Sequence, residues 1–245
     1  MPFPVETLTA ILLIGLFAYL ILGISGFGSA LIGIPLLVHF LPLQVVVPLV
    51  VLTDFCATLS TGLKFKHDVD FGELKRIVPP MVLGILAGVT LLATLPKQAT
   101  LVLLGLFVTG YGLYRLFART SGGTISRAWA IPTGLAGGVL GGLFGVGGPL
   151  YAAYLTARIP DHSRMRATLS AVFSFSTGLR IGVFLLSGLV LNAQVGWAFL
   201  LYCPAMLLGL AIGHRLHDKL TGKQLGTFVS LLLIASGLAL LFRAF

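Results

Sequence analysis

Gly137-Gly138-Val139-Leu140-Gly141-Gly142-Leu143-Phe144-Gly145-Val146-Gly147-Gly148-Pro149 carries seven glycines in thirteen residues, inside a long apolar sequence. Each glycine weakens a helix by about 1 kcal/mol relative to alanine. An echo stands earlier, at Gly23–Pro35, where Gly26-Phe27-Gly28 matches Gly145-Val146-Gly147. Backbone broken inside a bilayer cannot face lipid, because unpaired N–H and C=O groups find no water there. Both breaks must therefore be buried in protein or line a cavity. A matched pair of interrupted apolar segments in two halves of a chain points to a transporter's binding site.

The composition around these breaks is that of a membrane protein. Charged residues make up 9% of the 245 and the mean hydropathy is +1.05, whereas soluble domains run near ~25% charged. Apolar runs of about twenty residues, enough to cross a ~30 Å hydrocarbon core, recur along the whole length. No soluble domain fits between them. The start, Met1-Pro2-Phe3-Pro4-Val5-Glu6, lacks a basic leader, so the first run is expected to be retained and not cleaved as a signal. Cys56 and Cys203 lie in apolar runs and read as small hydrophobes.

Ten segments follow in order: 5–23, 28–41, 43–63, 76–95 and 98–117, then, after the basic stretch Arg115–Arg127, 128–143, 148–158, 165–187, 194–214 and 223–243. Ser60-Thr61-Gly62-Leu63-Lys64 recurs as Ser176-Thr177-Gly178-Leu179-Arg180, and Pro80, Gly84 and Gly88 recur as Pro204, Gly209 and Gly213. Lys97-Gln98 recurs as Lys223-Gln224. Matches in one order make a duplication, with repeats at 1–120 and 121–245 in one membrane domain. Basic residues gather on the cytoplasmic side of a membrane protein. Placing the loop around Lys64, Lys66, Lys75 and Arg76 inside puts thirteen of the sixteen Lys and Arg residues inside. Lys97 and Arg243 then fall outside, and Arg180 lies within a span. The net charge of +9 is thus a topology signal, and nucleic acid is discounted.

Segment 148–158 is long enough for only about half a membrane. Each half then begins with a glycine-broken helical hairpin, which re-enters or makes two thin crossings, followed by three transmembrane helices. The expected fold is an all-α polytopic membrane protein of two inverted repeats, with both termini outside.

Length, duplication and the Gly-x-Gly-Gly-Pro of Gly145–Pro149 together resemble the sulfite exporter TauE/SafE family of bacterial membrane permeases. The first half departs from that motif at Ser29 and Ala30. The resemblance implies export of small sulfur oxyanions or organosulfonates across the cell inner membrane.

The residues themselves suit an anion. A short helix starting near Gly28 or Gly147 would point free N–H groups and a positive dipole end into the membrane interior. Arg180, fifteen residues beyond Met165, is the one basic residue deep in a span, where a charge costs about 2.5–3.5 kcal/mol and demands a partner or a cavity. Substrate binding is expected at Gly26, Gly28, Ser29, Gly145, Gly147, Gly148, Ser176, Thr177 and Arg180. Ser60, Thr61 and Ser174 are further hydroxyl candidates, although membrane serines often bond their own backbone. Asp54 is either a proton carrier or the structural ion-pair partner of Arg180. Gly84, Gly88, Gly209 and Gly213 read as close helix packing. His214 and His217 share one helix face with Arg215 and Asp218 nearby, a solvated end and not a metal site. No cofactor and no metal are expected. The expected partners are a small anion and the lipid bilayer, with a homodimer left open.

The leading reading is a secondary transporter, the rivals an anion channel or a permease for another small organic anion. An enzyme is disfavoured, since no histidine lies deep in a span and neither Gly-x-Ser-x-Gly nor a nucleotide-binding loop occurs. Inversion makes a testable claim: single cysteines placed near Lys66 and near Asn192 should label from opposite sides of the membrane. Labelling from the same side would remove the inversion.

Overall fold

A computed structural model describes residues 4–25, 28–62, 68–117, 125–186, 188, 193–216 and 222–244, without the side chains of 5, 25, 58–62, 162, 222–225 and 244. Among the described residues all regular structure is helical. The helices are α1 (Val5–Ser25), α2 (Ser29–Leu37), α3 (Leu43–Gly62), α4 (Phe71–Thr94), α5 (Lys97–Phe117), α6 (Ala130–Phe144), α7 (Gly148–Arg158), α8 (His162–Leu186), α9 (Ala193–Leu216) and α10 (Gly222–Ala244). A 3₁₀ turn, Arg127–Trp129, leads into α6. Six helices are long and apolar enough to cross a membrane: α1, α4, α5, α8, α9 and α10. Their outward faces carry large apolar side chains such as Leu83, Leu106, Leu200 and Leu231. In water such a surface would drive association, whereas lipid solvates it.

The order of elements follows the sequence reading, with shifted ends. α2 is shorter than expected, ending at Leu37. α4 starts five residues early because Asp70 caps it, accepting hydrogen bonds from Gly72 N (3.0 Å) and Glu73 N (3.1 Å). That cap satisfies two of the donors every helix start leaves open. It also brings Glu73 into a spanning helix, whereas the sequence reading started that segment at residue 76.

Glycine decides how the spans pair. A Cβ added to Gly84 or Gly88 of α4 would strike the Leu135 or Val139 carbonyl of α6. A Cβ on Gly209 or Gly213 of α9 would strike the Leu16 or Leu20 carbonyl of α1. Both pairs run parallel, and the second repeats the first with the halves exchanged. α5 and α10 run antiparallel, with Gly105 against Gly237 and Gly112 against Ser230. Without a hydrophobic drive between helices in lipid, close backbone approach supplies the dispersion energy that holds them. The halves therefore interlock, because α1 is completed by α9 and α6 by α4.

Replacing Gly84 or Gly209 by valine should lower stability by about 1–3 kcal/mol, the cost of overpacking a filled seam. Gly110→Ala, with nothing within 4 Å of its added Cβ, serves as the near-neutral control. Thermal unfolding of the detergent-purified protein measures all three.

Candidate functional site

The glycine breaks lie where the two hairpins meet. α6 ends at Gly145, whose φ of 72° is left-handed and whose N–H returns to the Gly141 carbonyl (2.9 Å). α2 starts after Gly28, at φ 106°. Both conformations strain any residue with a Cβ. A Cβ on Gly145 would sit 2.9 Å from Ile34 Cδ1 and 3.8 Å from Ala30 Cβ, so α2 of one half abuts the break of the other. Gly147 meets the Gly137 carbonyl, and Gly148 lies against the Phe173 ring. Gly26 lies outside the described residues.

Arg180 stands beside this break. Its side chain is buried, with 5% of the residue's surface exposed. Nη1 donates to the Gly141 carbonyl (3.2 Å), Nη2 to Thr177 Oγ1 (3.2 Å) and Nε to the Ser176 carbonyl (3.4 Å). The arginine thus supplies positive charge to the C-terminal, negative end of α6. Two of the five guanidinium N–H groups have no protein partner among the described residues.

Asp54 does the converse for α2. Its Oδ1 accepts from Ser29 Oγ (2.7 Å), the first residue of α2, and from the Tyr19 hydroxyl (2.8 Å). Tyr19 also lies 2.6 Å from Thr53 Oγ1. An acid at a helix start and a base at a helix end are the favourable placements. Asp54 and Arg180 are close enough for each charge to act on the other.

Three tyrosines complete the centre, and the sequence reading missed them. Tyr202 packs edge-on against Tyr19 (centroids 5.8 Å apart), and Tyr151 covers Gly137 beside Arg180 and Ser176. The hydroxyls of Tyr151 and Tyr202 are buried and make no hydrogen bond of ordinary geometry among the described residues. Leaving such a group unmet costs about 1–3 kcal/mol, and for Tyr151 the Ser176 side chain is the polar group at hand. Their signal was present, since a tyrosine in a membrane helix carries a hydroxyl that hydrocarbon cannot satisfy.

Other candidates separate from the centre. Ser174 donates to the Ser170 carbonyl (2.9 Å), its own backbone, and is exposed. His214 is exposed at the end of α9. His217, Asp218 and the side chains of Ser60 and Thr61 lie outside the described residues.

The sequence profile described as "Sulfite exporter TauE/SafE" matches residues 11–240. The chain belongs to the TauE/SafE sulfite exporter family. It is also 31% identical over 195 residues to "Probable inner membrane transporter protein TsaS" of Comamonas testosteroni, covering 78% of this chain and 81% of that one. No solved structure matches the chain. With six helices able to cross a bilayer, this TauE/SafE protein is a multi-pass membrane transporter.

A second polar cluster sits at one end of this TauE/SafE bundle. Glu73, 4% exposed, accepts from the Tyr154 hydroxyl (2.7 Å) and from Arg158 Nε (3.2 Å). Arg127 (3.6 Å) and Arg76 (3.7 Å) flank the same carboxylate. Arg164 pairs with Asp70 (3.4 Å), and Asp70 N donates to Thr168 Oγ1 (2.9 Å). The cluster ties α4 to α7, α8 and the turn before α6. Tyr151, Tyr154 and Arg158 share one face of α7, so this helix runs from the central arginine to the cluster. Glu73 was missed because the sequence reading placed it before the fourth span.

Removing one partner of a fully buried pair costs about 3–5 kcal/mol, but Arg76 and Arg127 reach water. Glu73→Ala should therefore cost less, about 1–3 kcal/mol, mainly by orphaning the Tyr154 hydroxyl. The drop in melting temperature relative to the parent protein measures it.

Proposed function

We propose that this transporter exports a small sulfur-containing anion, sulfite or a short organosulfonate, across the inner membrane by secondary transport. The observation that carries the reading is Arg180, a buried guanidinium at the meeting of both glycine breaks with two donors unengaged among the described residues. The substrate set is Arg180, Thr177, Ser176, Ser29 and the backbone at Gly28, Gly145, Gly147 and Gly148, with Gly26 retained from the sequence. The hydroxyls of Tyr151 and Tyr202, buried and without a partner of ordinary geometry among the described residues, join it. A single deep cation suits a compact mono- or divalent anion, because each further charge in a low-dielectric site needs its own counter-charge. The family description and the inner-membrane relative support the substrate class, the direction and the membrane.

Asp54 gives the site a means of coupling. With Asp54 ionised, its charge and that of Arg180 cancel. Protonated Asp54 leaves the centre one positive charge, which an incoming monovalent anion neutralises. Anion and proton then leave together down the substrate's own gradient, and the loaded centre carries no net charge through the hydrocarbon. Inversion of the two halves, with both termini outside, is part of this proposal. The exchanged pairs α1–α9 and α4–α6 and the antiparallel pair α5–α10 support it, as does the distribution of basic residues.

Arg180→Gln should lower sulfite efflux from loaded cells by about a hundred-fold per molecule of protein in the membrane, the loss expected for one buried charged contact. Arg180→Lys should keep part of the activity, as a point charge without the planar fork. Full efflux by the Gln variant would remove the arginine from the site. Non-saturable flux without counterflow would make the protein a channel.

A further inference from the structure

Lys97 opens α5 just past the two residues that follow α4, and Glu73 lies in the first turn of α4, so they mark opposite ends of a helix about 36 Å long. At the Lys97 end a cavity of about 340 Å³ opens between the turn after α2, the ends of α4 and α10, and the start of α5. Its wall is apolar, built by Leu41, Leu92, Leu95 and Leu101, and its charged part is Lys97 and Arg243. Antiparallel packing of α5 on α10 brings the first residue of α5 to the same end as the last turn of α10. Arg243 is held in place by a hydrogen bond from Nη1 to the Val38 carbonyl (2.9 Å). No carboxylate lines the cavity among the described residues.

Next to Val38, burial and then the charge of Arg243 push the His39 imidazole below its ordinary range, so it is neutral at physiological pH. The cavity is therefore doubly positive by its two fixed cations. Phe40, which lines it, and Phe242, beside Arg243, are exposed rings, so the cavity is continuous with the lipid-facing surface.

We propose that this cavity seats an anionic phospholipid, with the phosphate between Lys97 and Arg243 and one acyl chain against the leucine wall. Two fixed cations at headgroup depth, with no carboxylate beside them among the described residues, attract a phosphate by their charge. The volume falls at the small end of ligand cavities, enough for a headgroup and the start of a chain whose remainder lies in the bilayer. The apolar wall gives a compact oxyanion nothing to bind. α2 runs from Ser29 at the central site to this cavity, so the lipid braces the far end of the helix whose start Asp54 holds.

The test is native mass spectrometry of the detergent-purified full chain titrated with phosphatidylglycerol or phosphatidylcholine. Phosphatidylglycerol should bind one per chain and more tightly than phosphatidylcholine. Lys97→Ala, at an exposed position, should weaken it about five-fold, the effect of one basic residue at a membrane surface. Adding Arg243→Gln should weaken it further, and Arg215→Ala, which removes an exposed charge at the opposite end, should leave it unchanged. Equal binding of the two lipids, or unchanged binding by Lys97→Ala, overturns the proposal. Displacement of phosphatidylglycerol by excess inorganic phosphate overturns it too, because the cavity would then be a site for small anions.

Discussion

A helix that stops inside hydrocarbon leaves amide or carbonyl groups with nothing to bond, and the rest of this structure answers that constraint. The C-terminal end of α6 meets Arg180 through the Gly141 carbonyl. The start of α2 meets Asp54 through Ser29. Each exposed pole is matched by a side chain of opposite sign, and those two side chains act on each other. Neither residue is then a spare charge waiting for a substrate, since each is part of what lets the backbone break at that depth. The same arrangement makes the centre responsive. An anion that draws the guanidinium, or a proton that neutralises the carboxylate, loosens a helix end as well as filling a site.

The second constraint is closeness. Helices in lipid gain little by hiding apolar surface from one another, so they depend on contact distance. Gly84 and Gly88 on α4, and Gly209 and Gly213 on α9, let backbones touch where any side chain would hold them apart. The glycines of α6 serve two neighbours at once, Gly138 and Gly142 toward α4 and Gly137 toward Tyr151 of α7. One stretch of sequence therefore sets both the seam between spans and the shape of the break.

Much of this was legible because it is written in local composition. The glycine stripe, the short α7, the duplicated order of segments and the lone deep arginine can all be read without a fold. What escaped reading depends on tertiary detail. Glu73 was lost to a helix boundary, since only the Asp70 cap shows that α4 begins before it. Tyr19, Tyr151 and Tyr202 were passed over because a tyrosine in an apolar run does not announce whether it faces protein or lipid. That Arg180 serves the end of α6, and not only the start of a short helix, needed the Gly141 carbonyl to be placed. The exchange of partners between halves was also hidden, because nothing in α1 names α9 as its neighbour.

That exchange bears on how the protein is made. Gly209 packs on Leu16, 193 positions earlier in the chain. At a synthesis rate of about 5–20 residues per second, α1 spends about ten to forty seconds in the bilayer before its partner leaves the ribosome. For that interval its small-residue face is open to lipid and to other nascent helices. α6 has no such wait, since α4 is already in place when it emerges. The first helix of the chain thus waits longest for its final packing, and until then its neighbours are α2 and α3.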